Sequence, residues 1–447
     1  MAIQVSSIDP PTQLTKREQR AAYLNALLGT LQANVPEAVA LTDLRAQAAA
    51  IAHEHTFPTT RDEDWRFTDL SAMLSVPFQA TPAAPDVDAA ALAAIELPEA
   101  IARIVLVNGQ FSAELSDLAQ LPAGVVVGNL AALKTGAMAA QLTARLAQSS
   151  GGHDLCTALN TVGFPAAAVV WVPRHQVIEQ PIHVVYLSVD GGNPTVTSPR
   201  CLVVAETGSA LTLVEDFYGT HNQAQFNNSV TEVWADENAQ MTHVRLQREG
   251  LGTFHIGKTA ITQGRDSRYT IIPVSLGAQV SRLNLEMHQT GPQTDTNLYG
   301  LAAIAQSQLA DTHSLIAMNH PHGTAEQLHK CIVDDAAHTV FNGKVWVPHN
   351  AQLTNTSQLN RNLLLSNKAR VDTKPELDIV ADNVKCAHGA TVSQLDANEV
   401  FYLQSRGISA EAAQRLLIYG FAMDIIDRIP VSSLQETLMA TVTQRTQ

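Results

Sequence analysis

A cysteine and a histidine stand two positions apart at Cys386 and His388. Thiolate and imidazole side chains bind soft and borderline metals. The flanking residues are rich in β-branched types, which predicts a short strand. Alternate residues of a strand share a face, so the two side chains are predicted to lie side by side. Spacing alone leaves open that the pair is structural, a buried cysteine beside a hydrogen-bonded histidine.

Histidines are also concentrated earlier in the chain, at His313, His320, His322, His329, His338 and His349. His320 and His322 flank a proline and could offer two imidazoles to a metal. In a repetitive fold many of these side chains would lie on different faces, which favours structural roles. Cys331, in the same region, is predicted to be a small buried hydrophobe, with a spare thiol as the alternative.

The run Gly252–Thr259 satisfies the P-loop pattern GxxxxGK[ST]. A working P-loop follows a strand and opens a helix whose N-terminus holds phosphate. The residues that follow here, Ala260–Gly264, have the character of a strand that ends at a corner. The match is therefore predicted to be accidental.

Composition excludes several classes of function. The chain has 447 residues, a formal net charge of −14 and scattered basic residues, which argues against nucleic-acid binding. Its four cysteines form no CxxC pair, so neither a disulfide framework nor a cysteine zinc site is indicated. No stretch approaches about eighteen apolar residues, and no secretory leader is seen, so no membrane contact and a cytoplasmic location are expected.

The pattern of residue types divides the chain into three regions. Residues 1–150 are predicted to form an N-terminal, mainly helical domain, with two helices between Gln13 and Ala52 and short strands at Ile104–Val107 and Gly124–Val127. Residues 151–395 are predicted to form a β-rich core. Residues 396–447 are predicted to form a C-terminal helical domain, with helices near Ala397–Arg406 and Ala410–Ile429.

In the β-rich core, corner-like segments recur at intervals of about 30 residues, which is typical of the imperfect coils of a solenoid. They are Gly208–Ala210, Glu237–Ala239, Arg265–Ser267, Gln293–Asp295 and Thr324–Glu326. This periodicity predicts an α+β chain with a central β-helix. A β-sandwich of similar strand spacing is the alternative.

Several long runs resemble the SufB/SufD family of iron-sulfur cluster assembly proteins, and its SufD branch in particular. They are NHPHGTAEQLHKCIVDD, VFNGKVWV, RNLLLSNKARVDTKPELDIVADNVKCAHGATVSQLD and FYLQSRGIS, with a weaker echo at Arg61–Thr68. Together they cover most of Asn319 to Ser409. The resemblance implies a right-handed parallel β-helix and a non-catalytic scaffold subunit. The implied partners are a SufB-type subunit and a SufC-type ABC ATPase.

The resemblance also implies roles for particular residues. Cys386 and His388 would offer ligands to a transient iron-sulfur cluster, or to iron, at the junction with the SufB-type subunit. SufB-type chains carry a Glu directly after this histidine and a further cysteine upstream, whereas this chain has Gly389 and no cysteine between Cys331 and Cys386. It would therefore supply only part of a site. No tightly bound cofactor is expected.

An apolar stripe on the last predicted helix includes Leu417, Phe421 and Ile425. Such a stripe usually belongs to a core, but the resemblance implies that the ATPase docks on this terminal domain. The three residues are therefore predicted to bind the partner. Whether the isolated chain forms a homodimer, whether iron enters through it, and whether the complex binds flavin are left open.

A β-helix enzyme, such as a polysaccharide lyase or hydrolase, is the alternative function. It would need carboxylates stacked along one face of the solenoid. The acids between Asp295 and Asp396 show no regular stacking, and aromatic residues that could serve as sugar platforms are scarce at 5% of the chain. The sequence therefore favours a chain that is not an enzyme.

Overall fold

Two long sheets of parallel strands run side by side through the computed structural model, which describes residues 15–36, 41–81, 87, 89–133, 138–152 and 154–445. From the fifth strand onward the chain passes back and forth between the sheets, with the seventh and eighth strands both in the first sheet, and builds about eight coils of a β-solenoid. Each strand pairs with one about 30 residues further on, as Val280 does with Leu309 and Leu309 with His338. The predicted α+β fold with a central parallel β-helix is confirmed, and the β-sandwich alternative is wrong.

The strands have the following bounds. The first sheet contains β1 (Gln79–Ala80), β4 (Val126–Asn129), β5 (Ala167–Val172), β7 (Thr195–Thr197), β8 (Arg200–Ala205), β10 (Gln225–Ala235), β12 (Thr253–Gln263), β14 (Val280–Gln289), β16 (Leu309–Ala317), β18 (His338–Val347) and β20 (Arg370–Ile379). The second contains β2 (Ala102–Val107), β3 (Gln110–Asp117), β6 (Ile182–Ser188), β9 (Ala210–Gly219), β11 (Gln240–Arg248), β13 (Arg268–Ser275), β15 (Asp295–Ile304), β17 (Thr324–Val333), β19 (Asn355–Leu364) and β21 (Lys385–Ser393).

The corners that lead from the first sheet to the second are made by residues with left-handed backbone. Gly208, Asn238, Asp266 and Gln293 have φ of 69°, 54°, 59° and 61°, a conformation that Gly, Asn and Asp adopt most readily. Each lies within a predicted corner. The fifth predicted corner is misplaced, because Thr324–Glu326 already belongs to β17 and the left-handed residue is His322, with φ 62°.

Helices precede the solenoid, with bounds α1 (Lys16–Ala33), α2 (Thr42–Glu54), α3 (Ala89–Ala94), α4 (Leu130–Leu133), α5 (Ala139–Arg145) and α6 (Leu155–Gly163). Thr15 caps α1 in a reciprocal capping box with Glu18, and Asp154 caps α6. The two helices predicted between Gln13 and Ala52 are confirmed.

The early strands belong to the ends of the two sheets. β2 pairs in parallel with β6, while β3 and β4 pair antiparallel with β2 and β5. The stretch before residue 150 therefore contributes strands to the β-helix as well as helices. The division into domains at residues 150 and 395 remains a proposal.

A short N-terminal segment, residues 61–68, lies on the outer face of the first sheet. The Arg282 guanidinium lies over the Trp65 ring at 3.9 Å from its centroid and donates to the Asp64 carbonyl at 2.7 Å. The Thr68 hydroxyl donates to Asp311 at 2.6 Å. Through these contacts the segment anchors the N-terminal region to the first sheet. This gives a structural role to the weak family resemblance at Arg61–Thr68.

Acid should weaken this anchor. Burial alone raises the pKa of Asp311, but Arg282 and His313 outweigh burial and hold the pKa at about 2, below the ordinary 3.8. A carboxylate with a lowered folded-state pKa stabilises the fold above about pH 4, and that contribution, of about 2 kcal/mol, is lost as pH falls toward 2.

Asp311→Asn tests this expectation. At neutral pH the variant should be less stable than wild type, because Arg282 is left buried without its partner. The difference in urea-unfolding free energy should narrow as pH is lowered from 6 to 3. A difference that stays constant over this range would show that Asp311 does not titrate as described.

Three helices follow the solenoid: α7 (Ala397–Ser405), α8 (Ala410–Ile426) and α9 (Ser432–Arg445). The side chains of Asp396 and Ser409 cap α7 and α8, and Gly407 between them has φ 88°. The two predicted C-terminal helices are confirmed. None of the helices in the described part of the chain is both long and apolar enough to cross a membrane.

The P-loop match is accidental, as predicted. Thr253–Thr259 lies within β12, whose backbone is paired along its length with β10 and β14, so no helix N-terminus is present there to hold phosphate. Lys258 forms ion pairs with Asp154 at 3.1 Å and Glu286 at 2.7 Å. Its ammonium group is a structural link between α6 and the first sheet.

Candidate functional site at the open end of the β-helix

The two ends of the β-helix differ. At the N-terminal end the antiparallel strands β3 and β4 complete the sheets. At the other end β20 and β21 are the last strands of their sheets, and within the described residues each pairs on one side only. We call the surface formed by β20 and β21 the open end. An unpaired strand edge of this kind is a template for pairing with another chain.

Cys386 and His388 lie on β21, with their side chains toward the inside of the coil. Their ladder partners on β19 are Thr356 and Gln358, which are both buried. Cys386 is half-buried and packs against the interior hydrophobic cluster, whereas His388 is exposed because no further coil covers it. The register therefore brings the thiol and the imidazole onto one face at the open end.

The other three cysteines are unsuited to bind a metal. Cys156, Cys201 and Cys331 are buried, and burial raises the pKa of each thiol, that of Cys331 to about 12. They are held as neutral thiols, whereas the thiolate is the metal-binding form. Cys331 is the buried residue that was predicted. Cys386 is the one cysteine that solvent reaches.

The remaining histidines of the concentrated stretch are dispersed. His313 and His338 contact Asp311 at 3.0 Å and Asp372 at 2.7 Å, and His322 forms a corner. His329 stacks on Phe341, and burial lowers its pKa to about 4. In the described residues no three His, Cys, Asp or Glu side chains are grouped to hold a metal.

A polar cluster in the middle of the solenoid was not predicted. Glu215 contacts His243 Nε2 at 2.9 Å, and the other ring nitrogen of His243 lies 2.8 Å from the Tyr269 hydroxyl. Nearby, His255 lies 2.6 Å from Glu249. Burial raises the pKa of Glu249, but its hydrogen bonds from His255, Gln247 and Asn227 outweigh this and lower it. The available signal was the polar residues at alternate positions in THVRLQ, which marks an inward face that is not purely apolar.

The residues predicted to bind a partner occupy different environments. Ile425 is fully buried where α8 packs on the second sheet, so its predicted contact with a partner is not available in the folded chain. Phe421 is half-buried beneath the Lys330 ammonium, 4.3 Å from the ring centroid. Leu417 is also half-buried. The stripe faces the chain's own core because the outer face of the second sheet is itself apolar.

Exposed apolar residues lie instead on another face of these helices. Phe401 and Tyr402 of α7 are 71% and 58% exposed, and Leu416 and Tyr419 of α8 are 49% and 40% exposed. We call these four residues the helical patch. Exposed aromatic and large aliphatic side chains are typical of protein interaction sites.

Two families of known proteins match consecutive parts of this chain. Residues 187–421 match the family "SUF system FeS cluster assembly, SufBD core domain", and residues 27–184 match "SufBD protein N-terminal region". These two matches cover the β-helix, apart from two residues of β6, and most of α8.

Several named proteins are similar to this chain over most of its length. An iron-sulfur cluster assembly SufBD family protein of Synechocystis is 45% identical over 98% of both chains. The chloroplastic protein ABCI7 of Arabidopsis thaliana is 34% identical over 92% of this chain and 87% of its own. The iron-sulfur cluster assembly protein SufD of Escherichia coli is 28% identical over 87% of this chain and 89% of its own. The chain therefore belongs to the SufBD family of iron-sulfur cluster assembly proteins.

Proposed function

We propose that this chain is a non-catalytic scaffold subunit of a SUF complex, on which nascent iron-sulfur clusters are built and from which they are transferred. The observation that carries the proposal is the position of Cys386 and His388 on the last, uncovered coil of the β-helix. Both side chains are ligand types found in iron-sulfur centres. The cluster is the cargo of this site and is held only in passing.

The site is completed by a partner in this proposal. One thiolate and one imidazole leave an iron site with too few ligands. The free edges of β20 and β21 offer backbone donors and acceptors to the strands of a similar β-helix, which supports a SufB-type subunit as the partner. Pairing there would bring the partner's own side chains over Cys386 and His388.

The second proposed partner is a SufC-type ABC ATPase. The helical patch is exposed and apolar, and it lies on the helices that follow the solenoid. ATP hydrolysis belongs to this partner in the proposal. A cytoplasmic location is supported by the four cysteines, which are all unpaired, as is usual for proteins of reducing compartments.

Co-purification tests the proposed function. The tagged chain, expressed in its native host and isolated under mild conditions, should bring down an ABC-type ATPase and a SufB-like chain. Repeated isolation without either protein would overturn the scaffold proposal. A variant with charged residues at Phe401 and Tyr402 provides the matched control, because it should lose the ATPase and keep the SufB-like chain.

A further inference from the structure

A buried carbonyl oxygen lies without a hydrogen-bond partner directly beneath the open end. It is Oε1 of Gln358, a residue on the inward face of β19 that is 2% exposed. Buried polar atoms are nearly always paired, so an unpaired one within the described structure needs an explanation. Its ladder neighbour on the next coil is His388.

Hydrogen bonds to residues of the preceding coil fix the orientation of the Gln358 amide. Gln358 Nε2 donates to Gln327 Oε1 at 2.7 Å, and Gln327 Nε2 donates to Ser314 Oγ at 2.8 Å. Because the Gln358 nitrogen points back to Gln327 and the Gln327 nitrogen points across the coil to Ser314, the carbonyl oxygen of Gln358 is left free. We call Ser314, Gln327 and Gln358 the amide column.

The strand β18, which faces β19 across the interior, leaves room for this column. A Cβ added at Gly343 would lie 2.2 Å from Gln358 Nε2. Gly343 is on β18, where its ladder partners are Ser314 and Pro375. A side chain there would push the amide out of its place, so the absence of one keeps the column intact.

We propose that Gln358 is a positioning residue for His388. Gln327, Gln358 and His388 are successive partners across β17, β19 and β21. The spacing between neighbouring strands is about 4.8 Å, which brings the imidazole of His388 within reach of the free oxygen of Gln358. A neutral imidazole has one N–H donor and one acceptor nitrogen. Donation of that N–H to Gln358 fixes the tautomer and leaves the other nitrogen available to a metal.

The inference deepens the proposed function and depends on it only for the ligand role of His388. A metal-binding histidine usually donates a hydrogen bond from the N–H of its other ring nitrogen to an oxygen acceptor, and loss of that acceptor lowers metal affinity about 10–100-fold. The amide column supplies such an acceptor without a charge.

Gln358→Met tests the inference in the full-length chain. The substitution keeps the length of the side chain and removes the acceptor. Ring nitrogens would be observed by NMR after labelling with 15N-histidine at about pH 8.5, where an imidazole is neutral, and the His388 signals would be assigned by their loss in His388→Gln. One tautomer should dominate in wild type, and both nitrogens should move toward averaged shifts in Gln358→Met.

Two further variants separate positioning from general damage. Asn362→Leu removes another buried amide on the same face of β19, where the ladder partner is Val392, and should leave the His388 tautomer unchanged. Gln327→Met frees the Gln358 amide to rotate and should weaken the tautomer preference. Equal shifts in wild type and Gln358→Met, or the same change in Asn362→Leu, would overturn the inference.

Cluster reconstitution on the assembled complex distinguishes this inference from the proposed function. Gln358→Met should lower the cluster yield about tenfold. If the tautomer depends on Gln358 but wild type builds no cluster, the scaffold proposal fails and the positioning stands. If cluster forms equally well on wild type and Gln358→Met, the positioning fails and the scaffold proposal stands.

Discussion

His388→Ala should sharply reduce cluster formation on the assembled complex while leaving the complex intact. His388 is exposed at the end of a strand ladder whose hydrogen bonds are made by the backbone, so removal of the ring should leave β21 paired. Loss of a direct ligand should cost at least the roughly 10–100-fold that loss of an outer acceptor costs. Cluster absorbance after reconstitution, and transfer to an apo-acceptor, measure the effect.

Two companion variants make this result specific. Lys385→Ala changes an exposed side chain on the opposite face of β21 and should preserve both assembly and cluster yield. Cys386→Ala should be milder than His388→Ala, because a partner thiolate can replace it in a transient site. A wild-type yield from His388→Ala would refute the assignment, and loss of the complex would show that His388 is structural.

Ile425→Asp should destabilise the chain, whereas Tyr419→Asp should weaken only ATPase binding. Ile425 is fully buried between α8 and the second sheet, and an unpaired carboxylate there costs several kcal/mol. Tyr419 is 40% exposed on the same helix, so a charge there should leave the unfolding midpoint near that of wild type. Urea unfolding and capture of the ATPase by the tagged chain measure the two effects.

The opposite pattern would be informative. If the Ile425→Asp variant is as stable as wild type but no longer binds the ATPase, α8 is not packed as described, and Ile425 contacts the ATPase as the sequence predicted. If Tyr419→Asp retains full ATPase binding, the helical patch is not the docking surface. Leu416→Asp, one helical turn away on the same exposed patch, should behave as Tyr419→Asp does.

Local signals in the sequence predicted the parts of the fold that short segments determine. Gly208, Asn238 and Asp266 marked corners because few other residues tolerate a left-handed backbone. Asp396 and Ser409 marked helix starts because their side chains replace missing backbone partners. Alternation along β21 placed Cys386 and His388 on one face.

Contacts between distant segments could not be predicted in the same way. The apolar stripe of α8 is visible in the sequence, but whether it covers the second sheet or faces a partner depends on the docking of Lys330 against Phe421, residues 91 positions apart. Likewise, Glu215 meets His243 only because the two lie on successive coils. The amide column required the register of three strands before its free oxygen could be noticed.

The one-sided pairing of β20 and β21 also affects how the chain folds. Each coil of a solenoid contacts only its neighbours, so stability is close to a sum of nearest-neighbour interactions, and a terminal coil without a capping repeat has the fewest of them. Among the strands of the solenoid, amide hydrogen exchange should therefore be fastest at β20 and at β21, which carries both Cys386 and His388. A partner that pairs with these edges contributes its binding energy directly to the folding of this coil. Assembly would then order the last coil. In the unpaired subunit the proposed ligands would lie on β21, one of the two strands least protected from exchange.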